Sequence, residues 1–115
     1  MHLSSEAEFD KEVVKSQIPV IVDFYADWCG PCKKLAPELE SQCNSQKTFK
    51  LVKIGVDEAQ ELGSSYSVSS IPHVILFHEG KKVMEFKGYD VESMKEMIAK
   101  CKTLSKNKIK NVANH

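Results

Sequence analysis

The chain contains no arginine: all 16 of its cationic side chains are lysine, set against 16 acids for a formal net charge of zero. Without the planar guanidinium fork it lacks the usual reader of phosphate and guanine edges, so no nucleic-acid partner is expected. Long apolar runs are also missing. Segments such as Val74–Phe77 fall far short of the roughly 20 residues that cross a bilayer, so no membrane partner is expected. Met1–Glu6 has no cationic stretch followed by an apolar one. No export signal is therefore read, and the cytoplasm is the expected compartment. Cysteine is sparse as well, and four in 115 residues are too few for a disulfide scaffold. In a reducing compartment, a close cysteine pair points to catalysis or metal binding before it points to a structural bridge.

What is present describes one globular domain. The 115 residues amount to 13.0 kDa, 42% hydrophobic and 28% charged. That composition excludes a disordered chain. A domain of this size buries about two thirds of its unfolded surface and needs no metal or disulfide to hold a core. Charge is uneven, however. Lys100–His115 carries five lysines and no acid, leaving residues 1–99 at a net of −5. Residues 1–104 are expected to form the domain and 105–115 a flexible basic tail. The tail is read either as solvated chain or as an arm for an acidic partner.

The patterning alternates helix and strand. Ser5-Glu6-Ala7-Glu8 spells a capping box opening a helix over about Glu6–Lys15. Val20–Tyr25 is apolar on both faces, the mark of a central strand covered on both sides, with Asp23 as its one interruption. Pro31 suits the first turn of a second helix; Pro37 inside that helix predicts a kink and not a stop. Leu35, Leu39 and Cys43 share one of its faces. A second strand is predicted over Phe49–Val56, then a short helix to Ser65 capped by Asp57. Strands over His73–Phe77 and Val83–Lys87 follow, joined by a Glu79-Gly80-Lys81 turn. Met94, Met97, Ile98 and Cys101 give a last helix its apolar face. This order predicts an α/β fold, a mixed sheet with helices on both faces.

The chemistry concentrates in Trp28-Cys29-Gly30-Pro31-Cys32, between the central strand and the second helix. A first cysteine at a helix N-terminus faces unpaired backbone N–H groups and the positive end of the helix dipole, which favour the nucleophilic thiolate. A second cysteine one turn deeper is placed to attack a mixed disulfide formed at the first. Half of a zinc site has the same spacing, but no second pair matches it: Cys43 and Cys101 stand alone, so no metal is expected. Asp23 is flanked on its own strand face by Ile21 and Tyr25. Burial there would raise its pKa and make it a candidate general base for the second thiol.

Asp23–Cys32 resembles the active-site segment of the thioredoxins, and the resemblance extends from about Glu6 to Cys101. Pro37 matches that family's helix proline, Lys53 the lysine near its buried aspartate, Ile71-Pro72 its cis-proline loop, and Gly80 and Gly88 its hairpin and post-strand glycines. The resemblance implies a thioredoxin fold, with a central mixed sheet of four to five strands. It implies a protein-disulfide reductase cycling between a Cys29/Cys32 dithiol and a disulfide, contributing to cell redox homeostasis. Cys29 would be the nucleophile, Cys32 the resolving thiol, Asp23 the general base, Lys53 its modulator, and Gly30-Pro31 the reducing variant of the intervening pair. Trp28, Ile71, Pro72 and Gly88 would dock an extended client segment. No bound cofactor is implied; electrons would come from NADPH through a thioredoxin reductase, the clients would include peroxiredoxins, and the chain would be a monomer. The other readings are a redox-dependent binding module using the same patch and an oxidant or isomerase.

Several residues depart from the pattern or stand outside it. His73 follows Pro72 where the family commonly has threonine; it is read as an inert strand-edge residue or as a titratable group near the disulfide. Asp27 adds an exposed charge beside the site, which could help select clients. Cys43 and Cys101 are expected in the core. Only Met1–Leu3 precede the first helix, so the family's first strand is short or missing.

Overall fold

In the computed structural model the backbone is described for residues 1–113 and the side chains for residues 1–105. Helix α1, Glu6–Phe9, opens as its capping box requires. Glu8 N–H donates to Ser5 Oγ at 3.2 Å, while the Glu8 carboxylate accepts from the Ser5 hydroxyl at 3.1 Å and the Ser4 N–H at 3.3 Å. The helix runs on as a π-helical turn, Asp10–Val14, and buries Phe9 and Val13 against the sheet.

Strand β1, Val20–Tyr25, lies inside the sheet. Helix α2, Gly30–Gln46, follows it, and Pro37 does not stop the helix. Strand β2, Lys50–Gly55, pairs parallel with β1 on one side. Strand β3, His73–His78, pairs antiparallel with β1 on the other, and β4, Lys81–Lys87, antiparallel with β3. The sheet order is therefore β2-β1-β3-β4. At the β2 edge, Met1–Leu3 forms one parallel bridge, His2 to Lys53, the remnant of a fifth strand. Glu79 and Gly80 turn the hairpin at φ +54° and +78°, the left-handed pair a two-residue turn requires. A Cβ on Gly80 would come within 3.2 Å of the Val14 carbonyl, so the turn also needs glycine to sit on the end of the first helix.

Alternate residues of the strands face opposite layers. Val20, Val22, Phe24, Ile75 and Phe77 pack with Phe9, Val13 and Leu62, the last from α3, Gln60–Ser65. Ile21, Leu51, Val74 and Leu76 pack with Leu35 and Leu39 of α2 and with Met94, Met97, Ile98 and Cys101 of α4, Val91–Ala113. The sheet is thus covered on both faces, as its doubly apolar central strand predicted.

Three sequence expectations are corrected in detail. The short helix starts at Gln60 with Ala59 at its N-cap and no side-chain cap, so Asp57 does not cap it. Strand β4 begins two residues earlier than expected, at Lys81, because the turn is only two residues long. His73 is not an edge residue: it is about 1% exposed, on the face of α1 and α3. The last helix continues without a break through 105–113 of the basic segment; the side chains there lie outside those described.

Candidate functional site

The disulfide sits where β1 hands over to α2. Cys29 is the helix N-cap, extended at φ −89° and ψ 112°, and its Sγ accepts the Cys32 N–H at 3.2 Å. Pro31 occupies the first turn, where its missing N–H costs nothing. The Cα atoms of Cys29 and Cys32 are 5.3 Å apart and the two sulfurs are bonded. A sulfur that accepts a backbone N–H at a helix N-terminus is favoured as a thiolate once the bond is reduced. Both cysteines are buried, and Cys32 is hardly deeper than Cys29. Gly30, Pro31 and Trp28 are exposed around them.

Ile71, half-buried, packs against the cluster of Ala26, Cys29 and Cys32. The Ile71-Pro72 bond is cis. Gly88 N–H donates to the Pro72 carbonyl at 2.8 Å, which brings Gly88 to the same end of the sheet. Pro72 itself is buried and Ile71 and Gly88 are half-buried, so the exposed part of the patch is Trp28 with Gly30 and Pro31. Trp28 is 71% exposed and does not pack into the core. Its indole N–H instead donates to the Asp57 carboxylate at 2.9 Å.

Asp23, on β1 ahead of the disulfide segment, is 1% exposed, with neither carboxylate oxygen hydrogen-bonded. Burial pushes its pKa up to about 6, against a downward pull from Lys53 and with a smaller upward push from Glu40. Lys53 stands opposite Asp23 in the β1–β2 register. Its ammonium, however, pairs with Glu40 Oε1 at 3.4 Å and lies 5.2 Å from the centre of the Tyr25 ring. A cavity of about 150 Å³, lined in part by Tyr25, Ala26, Cys32 and Lys53, joins the second cysteine to this lysine. That is room for a few waters.

Around the disulfide lie Gly30, Pro31, Trp28, Ile71, Pro72 and Gly88; Lys53 lines a cavity with Cys32, and Asp23 stands beside Lys53 in the sheet. His73 points to the opposite face, its Nε2 2.9 Å from Glu85 Oε1. Cys101 is fully buried, and burial pushes its thiol up to about 12; Cys43 is half-buried and donates its S–H to the Phe49 carbonyl at 3.4 Å. Sequence reasoning missed Glu40 and the partnership of Asp57 with Trp28. No local spacing signals either, because both contacts join separate elements.

The thioredoxin family model matches residues 1–103. Probable thioredoxin-2 of Caenorhabditis elegans is 43% identical over 98 residues, 84% of this chain and 68% of the relative. Among solved structures, the thioredoxin of Plasmodium falciparum superposes with a TM-score of 0.80 at 33% identity, covering 86% of this chain and 96% of that one. A chain from a structural study of thiol resolution in yeast mitochondrial 1-Cys peroxiredoxin via glutathione/thioredoxin systems gives 0.81 at 26% identity, covering 87% and 93%.

Proposed function

Because this chain belongs to the thioredoxin family and is a thiol-disulfide oxidoreductase that reduces protein disulfides, we propose that Cys29 and Cys32 carry its turnover, with Asp23 moving the proton. The Cys29 thiolate attacks one sulfur of a client disulfide. A mixed disulfide forms, and the client's other sulfur leaves as a thiolate that picks up a proton from water. Cys32 then yields its thiol proton toward the ionised Asp23, and its thiolate attacks the Cys29 sulfur. The second client thiolate departs. Two electrons have passed to the client, and the chain is left as the Cys29–Cys32 disulfide, the state seen here. The observation that carries the assignment is the N-cap geometry. The sulfur of Cys29 receives a backbone N–H at the helix start, so Cys29 is the better thiolate and Cys32 the resolving thiol.

Lys53 modulates Asp23. Trp28, Ile71, Pro72 and Gly88 receive an extended segment of the client. NADPH, through a thioredoxin reductase, returns the disulfide to the dithiol. The clients include peroxiredoxins, a choice supported by the peroxiredoxin study in which one structural relative appears. The protein works as a cytoplasmic monomer. Incubating Cys32→Ser with an oxidised peroxiredoxin tests the assignment. A mixed disulfide through Cys29 that persists until dithiothreitol is added is expected. A client held without a covalent bond would instead mark a binding module.

A further inference from the structure

Lys53 lies between two carboxylates. It is the direct β-ladder neighbour of Asp23, yet its ammonium bonds to Glu40, which reaches it from α2. The Lys53 side chain is only 15% exposed, whereas Glu40 is half exposed, so Glu40 draws the charge outward. The Tyr25 ring lies along the same side chain and favours that placement. The outcome is visible at Asp23, whose oxygens have no hydrogen-bond partner, Lys53 included.

We propose that Glu40 is a positioning residue of the reaction: it holds the Lys53 ammonium at the outer side of the cavity and so withholds that charge from Asp23. The inference rests on the reading of Asp23 as the general base. An unpartnered, buried carboxylate is a strong base, and one in direct contact with an ammonium is a weak one. If Lys53 closed onto Asp23, the carboxylate would be ionised at every working pH but would accept the Cys32 proton poorly. If Lys53 were absent, Asp23 would hold its own proton to higher pH and be less available to accept another. Glu40 sets the lysine between these extremes. Beyond Lys53 and Glu40, the charged groups to weigh around Asp23 include Asp27 and Lys33, which line the same cavity. Tyr25 lies on its own strand and its phenol is pushed up, chiefly by burial. Cys32 lines the cavity from α2. From β3 the facing residue is apolar Val74.

The test is a carbon-13 NMR titration of the Asp23 carboxyl in the full-length oxidised protein, in which neither Cys29 nor Cys32 titrates. Wild type should titrate near pH 6. Glu40→Gln should lower the midpoint by about one unit as Lys53 turns to Asp23, the effect of a direct cationic partner. Lys53→Met should raise it. Adding Glu40→Gln to Lys53→Met should move it by only a few tenths of a unit, the direct field of a half-exposed charge. A midpoint in Glu40→Gln that is unchanged or higher overturns the proposal. So does an equal drop in both backgrounds, since Glu40 would then act without the lysine. Asp23→Asn separates this from the parent reading. If it resolves mixed disulfides at the wild-type rate, Asp23 is not the base and the role of Glu40 in the reaction falls with it. If it is slow while Glu40→Gln leaves the titration unmoved, only Glu40 is dismissed.

Discussion

Two polar side chains, Asp23 and His73, are fully buried among the described residues, and they interrupt opposite faces of one sheet. His73 sits on the α1 and α3 face, in register with Phe24, with a partner: Glu85 lies 2.9 Å from its Nε2. The ammonium of Lys82 and the hydrogen bond from His73 hold Glu85 below the usual carboxylate range. An ionised Glu85 can only accept, so His73 Nε2 carries the proton. Asp23 sits one residue earlier in β1 on the α2 and α4 face and has no hydrogen bond. Burial alone therefore does not identify a working residue. The histidine, paired at Nε2 though not at Nδ1, belongs to the architecture, while the carboxylate, unpaired at both oxygens, carries the larger standing cost.

The largest effects should come from removing the apolar surroundings the two faces share. Leu76 and Phe77 are neighbours in β3 that enter opposite cores. Leu76→Ala should cost about 2–5 kcal/mol and Phe77→Ala about 3–5 kcal/mol in urea unfolding. A negligible loss at either position would break the picture of two equivalent cores.

Asp23→Asn should act in the opposite direction. A carboxyl whose folded pKa is raised from 3.8 to about 6 binds its proton more tightly when folded. Folding stability therefore falls as pH rises from about 4 to about 6, and above that window the protein carries a penalty of roughly 3 kcal/mol. The asparagine variant should gain most of that at pH 7, and its stability should be flatter across the window. Unfolding midpoints at pH 4 and pH 7 measure this directly.

His73→Thr should lose about 1–2 kcal/mol with the buried hydrogen bond to Glu85. The melting temperature should fall by several degrees, with the pH–rate profile of disulfide reduction unchanged. A displaced profile would move His73 from architecture to chemistry. The smallest effect is expected at the surface. Asp57→Ala removes the exposed acceptor of the indole N–H, which should cost less than about 1 kcal/mol. It should also change the emission of Trp28, the chain's sole tryptophan.

Much of this was legible because periodicity and punctuation carry local structure. The doubly apolar run of Val20–Tyr25, the capping box at Ser5 and the Glu79-Gly80 turn each state their element outright. The Trp28–Cys32 segment, with its place between strand and helix, stated the chemistry, and the lone carboxylate in an apolar strand pointed to Asp23. Contacts between elements were less legible. Asp57 looks like a cap because it precedes a helix, but the indole of Trp28, 29 residues away, claims its carboxylate. His73 looks like an edge residue because it begins a strand, but the last strand folds back and places Glu85 against it. Glu40 is one of two acids on α2, and only the packing of α2 on β2 shows that it meets Lys53.

The most direct measurement of the central claim is the reduction of insulin disulfides by the wild-type protein and by Cys29→Ser, with dithiothreitol as electron donor. The account predicts rapid reduction by the wild type and background rates for the variant. A folded wild type without activity, or a Cys29→Ser protein that keeps it, would contradict the assignment of this disulfide as the working centre.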